Sequence, residues 1–96
     1  MSPRVHYKFR LYIAGNAQNS VLALANLSAI CHAHLAGRYT IEVVDVFREP
    51  GRALVDGVRM TPSLIRLSPA PVQRIIGTLS QTAHVLMLLG LTAVAA

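Results

Sequence analysis

Ninety-six residues, 53% of them apolar, suffice for one compact domain with a core that needs neither disulfide nor metal. The single cysteine, Cys31, rules out an intramolecular disulfide, and the first residues lack the charged region and apolar stretch of a secretory leader, so a cytoplasmic home is expected. Nine Lys and Arg against four Asp and Glu give a formal charge of +5, but the basic residues stand singly, without the clustering or interleaved aromatics of a nucleic-acid groove.

From His6 to Ala14 the residues Tyr7, Phe9, Leu11 and Ile13 alternate with His6, Lys8, Arg10 and Tyr12, the period-two pattern of a half-buried strand. Gly15-Asn16 breaks it, and Asn19 or Ser20 is placed to cap a following helix. In that helix Leu24, Leu27, Cys31 and Leu35 recur at spacings of three and four and share one face, and Gly37 ends it. Tyr39 to Phe47 is β-branched and mostly apolar on both faces, which predicts a central strand parallel to the first, with the helix as the crossover. The crossover covers one face of the sheet and leaves the other to later elements.

Arg48-Glu49-Pro50-Gly51 opens a polar stretch, Arg52 to Asp56 suits a short helix, and Asp56-Gly57 is a turn signal. Leu64 to Leu67 and Val72 to Ile76, on either side of Ser68-Pro69-Ala70-Pro71, predict a hairpin. After Gly77, Ser80 is placed to cap a last helix whose Val85, Leu86, Leu88 and Leu89 would cover the open sheet face. The apolar run from Val85 to Ala96 is well short of the roughly 20 residues that span a bilayer, so no membrane partner is expected. The predicted order is βαβαββα in a single domain over residues 1–96, with 1–5 and 93–96 expected to be disordered.

Chemistry is sparse. A thiol–disulfide enzyme of this plan needs a low-pKa Cys-x-x-Cys at the start of the first helix, where this chain reads Asn16-Ala17-Gln18-Asn19. Cys31, on the apolar face, reads as a sheltered core thiol. His32 and His34, two apart on a helix, point away from each other and cannot grip a metal jointly. Glu42, Asp45, Glu49 and Asp56 show no acid–base pairing in their spacing, and Ala14-Gly15-Asn16 holds one glycine where a phosphate cradle needs several. No catalytic residue, cofactor, metal or nucleic acid is therefore expected.

The stretches LYIAGNAQNSVLALANL, VVDVFREP, MTPSL and PAPVQRIIGTLS closely resemble the circadian clock protein family KaiB, without an evident gap from about Tyr7 to Val85. The resemblance implies an α/β, thioredoxin-like fold and a non-enzymatic interaction module that docks on the KaiC ATPase ring. A related domain heads the SasA-type sensor histidine kinases, which compete for the same ring. The alternative is therefore a sensor or oligomerisation domain that pairs through the apolar last helix, as a dimer or tetramer. The family also implies a second, ground-state packing that assembles as a tetramer, reached by rearranging the second half of the chain.

On that reading Arg48, Glu49, Arg52, Asp56 and Gly57 are the expected partner-binding residues, beside the second strand, and Pro62, Pro69, Pro71 and Gly77 are the expected fold-switch pivots. The last helix departs from the family: where members commonly read KVLIGLDLL, His84 to Leu91 lacks the glycine and the aspartate. Leu88 in the glycine's place favours a helix by a fraction of ~1 kcal/mol. The thioredoxin-like packing is thus expected. The segment from Gly51 to Gly57 holds one carboxylate where the family often holds more, which suits a divergent member with its own partner.

Overall fold

In the computed structural model, which describes residues 5–91, β1 (Tyr7–Ile13), α1 (Gln18–His34), β2 (Tyr39–Asp45), α2 (Pro50–Val55), β3 (Ser63–Ser68), β4 (Gln73–Ile76) and α3 (Thr82–Leu88) follow in order. This is the expected βαβαββα succession. The disorder expected at residues 1–5 and 93–96 lies, Val5 apart, outside the described residues.

The sheet order is β2-β1-β3-β4. β1 and β2 run parallel, from Tyr7 opposite Tyr39 to Ile13 opposite Asp45, a pairing that requires the α1 crossover. β3 returns antiparallel against β1, and β4 antiparallel against β3. The expected central place of β2 is corrected by this order, because β2 is an edge strand. Its two apolar faces report cover above and below: Ile41 packs toward the α1 side, Val44 toward the α2 side. Cover on both faces says nothing about neighbours in the plane of the sheet.

Ala23, Leu27, Ile30 and Cys31 on α1, with Leu35 just past it, pack on Phe9 and Leu11 of β1 and Leu64 of β3. Each fully buried leucine contributes about 2 kcal/mol to this core. Neither Asn19 nor Ser20 caps α1. Ala17 stands at its N-cap, and the Ser20 hydroxyl accepts the Ala14 N–H at 3.0 Å, fastening the strand-to-helix turn instead.

Leu79, Val85 and Leu89 join the same core, so α3 lies on the α1 side. The expectation that the last helix covers the opposite face is corrected. There the cover is α2, whose Ala53 packs with Tyr12, Val44 and Ile65, flanked by Val46, Val58 and Leu67. A six-residue helix with one buried side chain carries too weak a pattern to announce itself as a cover. Tyr12, on the polar side of the β1 alternation, is fully buried for this reason.

α3 follows Gln81 and is not capped by Ser80, whose hydroxyl pairs with that of Thr78 at 3.0 Å. Leu79, in the turn before it, holds a left-handed φ of 62° while seated in the core. Arg66 of β3, only 6% exposed, donates from Nη1 to the Leu89 carbonyl at 2.6 Å and from Nη2 to the Pro71 carbonyl at 2.8 Å. One guanidinium thus ties the end of α3 and the hairpin turn to the sheet. The peptide bonds before Pro62, Pro69 and Pro71 are cis. No described helix is long and apolar enough to cross a membrane.

Candidate functional site

Parallel register places Arg10 opposite Glu42, and strand alternation puts Tyr12 on the same face as Arg10. Arg10 Nε donates to Glu42 Oε1 at 2.7 Å, and its Nη1 to Asp56 Oδ2 at 3.0 Å. The other Glu42 oxygen accepts Arg52 Nη2 at 2.8 Å, while Arg52 Nη1 lies 3.6 Å from Glu49 Oε1. The Tyr12 hydroxyl reaches both the Asp56 carboxylate and the Arg52 carbonyl oxygen, the latter at 3.0 Å, with one proton to share between them. α2 is thereby fastened to β1 and β2 through Arg52 and, at its C-terminal end, Asp56.

The electrostatic consequences follow the contacts. The Arg10 and Arg52 guanidiniums hold the Glu42 carboxyl below the usual range, and the Tyr12 hydroxyl, ahead of Arg10, does the same for Asp56. Burial, then the hydrogen bond to Asp56, pushes the Tyr12 phenol up. Hydrogen bonding to Glu42 raises both arginines further. Since the Arg10 and Glu42 side chains remain 24% and 43% exposed, these pairs position α2 more than they stabilise the fold.

At the end of β2 the Asp45 carboxylate accepts the Phe47 N–H at 2.9 Å and the Gly15 N–H at 3.2 Å. Its carbonyl oxygen accepts the N–H groups of Arg48 and Glu49 at 3.1 and 2.9 Å. Gly15 has a φ of 53°, and a Cβ there would lie 3.5 Å from the Phe47 ring, so glycine lets the chain turn beneath that ring. This turn projects Phe47 and Arg48 outward.

Of the expected partner-binding residues, Arg48 and Glu49 are exposed in the turn and Arg52 and Asp56 are half-buried in the ion-pair network. Gly57, exposed and with a φ of 68°, closes α2. These five do not share one edge: Arg48 and Glu49 follow β2 at its end, Arg52 and Asp56 reach over β2 and β1, and Gly57 borders the β3–β4 side. The structure sets the pivot candidates apart, at the two ends of the β3–β4 hairpin: Pro62 with Gly77, whose N–H meets the Pro62 carbonyl at 3.0 Å, and Pro69 with Pro71 at the turn. Sequence reasoning missed Arg10, Tyr12 and Glu42, which only the strand register joins to Arg52 and Asp56. In the same segment as Arg48 and Arg52, Phe47, Leu54 and Val55 are 75, 80 and 86% exposed.

Residues 10–91 match the family model described as the KaiB domain. The chain belongs to the KaiB family. The circadian clock oscillator protein KaiB of Synechococcus elongatus is 45% identical over 87 residues, 91% of this chain and 85% of that protein. The circadian clock protein KaiB3 of Synechocystis sp. is 45% identical over 78 residues, 81% and 76% of the two chains. Among solved structures, the N-terminal domain of Synechococcus elongatus SasA is similar with a TM-score of 0.74 at 16% identity, over 100% of this chain and 94% of that one. Chloroplastic thioredoxin z gives 0.73 at 18% identity, over 91% and 78%. These two likenesses establish a thioredoxin-like fold.

The KaiB match takes in the whole ion-pair network and the Arg48–Gly57 segment. Where a thioredoxin-type enzyme needs its thiols, at the start of α1, this KaiB-family chain carries Asn16-Ala17-Gln18-Asn19. Its one thiol, Cys31, lies fully buried, and burial pushes it up to about 11, so it is protonated and inert at neutral pH.

Proposed function

We propose that this chain is a non-enzymatic protein-interaction module that docks on a KaiC-like ring ATPase through the β2 edge and the Arg48–Gly57 segment. The observation that carries the reading is that Phe47, Leu54 and Val55 all stand exposed within the short segment that holds Arg48 and α2, the helix tied to β1 and β2 by the ion-pair network. Exposed apolar side chains concentrated in one short segment suit a partner surface, and a backing that is already ordered lowers the entropic cost of docking. In this reading Arg48 and Glu49 meet the partner, while Arg52, Asp56 and Gly57 set the position of α2. The encounter is cytoplasmic and uses no cofactor. Pro62, Pro69, Pro71 and Gly77 serve as pivots if the hairpin half repacks.

The test is light scattering after size-exclusion chromatography of the chain mixed with the KaiC-like ATPase encoded nearest to it, with and without nucleotide. A nucleotide-dependent joint peak is expected, weakened about tenfold or more by Arg48→Glu or Phe47→Ala with the circular dichroism unchanged. Unchanged affinity in both variants would remove this surface. Absence of any joint peak would remove the ring.

A second reading, a sensor or oligomerisation domain like the one that heads SasA-type kinases, is favoured by Met87 and Leu88, which α3 turns toward solvent. It predicts a stable dimer or tetramer of the chain alone that Met87→Glu disperses.

A further inference from the structure

The α2 face of the sheet is covered unevenly. α2 and the loop behind it close over Tyr12, Val44 and Ile65, but the β4 end is open. Cross-strand pairing of Ile65 with Arg74 and Ser63 with Ile76 places Arg74 and Ile76 on this face. There they border a cleft of about 260 Å³, lined also by Val58, Arg59, Met60 and Ile65. Ile76 and Met60 are 60 and 61% exposed, so the cleft has an apolar floor open to water. Beyond it, the outer edge of β4 pairs with no strand among the described residues, leaving backbone donors and acceptors in line with the cleft.

The charge of the cleft has one sign. No acidic side chain lines it, and among the described residues neither Arg59 nor Arg74 pairs with a carboxylate. The nearest acid that feels Arg74, Asp56, is already held by Tyr12 and Arg10.

We propose that the β4 edge and this cleft bind an extended acidic segment of a partner protein, which adds as a fifth strand beside β4. Strand addition sends every second side chain of the guest to the α2 face. Arg74 and Ile76 are two apart on that face, so the fitting guest carries a carboxylate and an apolar residue at the same spacing, Glu-x-Val, each opposite its complement. A second copy of this chain is disfavoured as the occupant, because it brings a net charge of +5 and its own Arg59 and Arg74 to the same place. This site meets the proposed ring-docking surface only at Gly57 and does not depend on that reading.

The probe is a fluorescein-labelled Thr-Glu-Thr-Val-Thr-Glu-Thr-Val peptide, followed by anisotropy and by amide shifts of the isotope-labelled protein. Saturable binding is expected, with shifts confined to residues 57–65 and 73–77. Arg59→Glu with Arg74→Glu should weaken it about tenfold or more, and a peptide with lysine in place of glutamate should not bind. Ile76→Lys, at an exposed position, should weaken it independently. N-methylation of one alternate set of peptide amides should abolish binding and of the other set leave it, the signature of one edge used for pairing. Arg48→Glu should leave peptide binding intact, which separates this site from the ring-docking surface. No saturation, shifts on another surface, retention by the charge-reversed protein, indifference to methylation, or a protein whose size grows with concentration and shrinks with Ile76→Lys would each overturn the proposal.

Discussion

Arg10 and Glu42 are partners twice over: the parallel β1–β2 ladder sets them opposite each other, and Arg10 Nε donates to Glu42 Oε1 at 2.7 Å. Because the second Glu42 oxygen takes Arg52, a single carboxylate joins both strands to α2. Glu42→Gln keeps the shape but leaves two guanidiniums without their anion, and the thermal midpoint should fall by a few degrees. These groups are partly exposed, so the deficit should shrink as sodium chloride is raised to about 1 M, where screening acts within roughly 3 Å. Tyr12→Phe, which deletes a buried hydroxyl, should cost about 1 kcal/mol at either salt concentration. Thermal melts of both variants at two ionic strengths check the contrast.

Acid should loosen this network. Glu42 and Asp56 are held below the ordinary carboxylate values, so the folded state binds their protons more weakly than the unfolded chain does. Such groups contribute stability that is present above the unfolded value, near pH 4, and is lost as the pH falls through the lowered folded values. Urea midpoints measured from about pH 6 to pH 2 should drop below roughly pH 4. In the Glu42→Gln, Asp56→Asn double variant that drop should be shallower.

The succession of elements is legible in the sequence because it rests on local patterns: alternation in β1, the three-and-four spacing of Leu27, Cys31 and Leu35, the two prolines of the hairpin turn. The placement of β2 at an edge and of α3 beside α1 is not, since both depend on which strand pairs with which. Arg48 to Gly57 stands out as a polar break, and the segment crosses from the end of β2 over β1 toward the β3–β4 side. Its anchoring by Arg10 and Tyr12 is invisible, because they lie forty or more residues before the Arg52 and Asp56 they meet, and Glu42 joins them only through the β1–β2 register. Phe47 misleads in the other direction, as the end of a stretch that reads as covered on both faces and yet stands in solvent.

Cys31 should behave as packing and not as chemistry. A thiol at about 11 in place of 9.0 holds about a hundredth of the thiolate at pH 8, and full burial blocks what remains. Alkylation of the folded protein by iodoacetamide at pH 8 should therefore run at least about a hundredfold slower than in urea, where it should reach the rate of an ordinary cysteine. Fast labelling under native conditions would mean that α1 opens far more often than its packing on Phe9 and Leu11 implies.

Arg66 presents a case where charge matters less than shape. Its planar fork spans the Leu89 and Pro71 carbonyls, and its Nε, also buried, finds no partner among the described residues. Arg66→Lys keeps the charge, but one ammonium cannot reach two carbonyls held apart by the fork, so one acceptor goes unmet at a cost of about 1–3 kcal/mol. Arg66→Met removes both donors together with the buried charge, and should free α3 more than it lowers global stability, because the desolvation of the guanidinium is relieved at the same time. Hydrogen exchange separates the two effects. Amides of residues 85–91 should exchange faster in both variants while those of β1 and α1 keep pace with the small global change. A uniform rise across the chain would mean that the guanidinium supports the whole core and does not fasten α3 in particular.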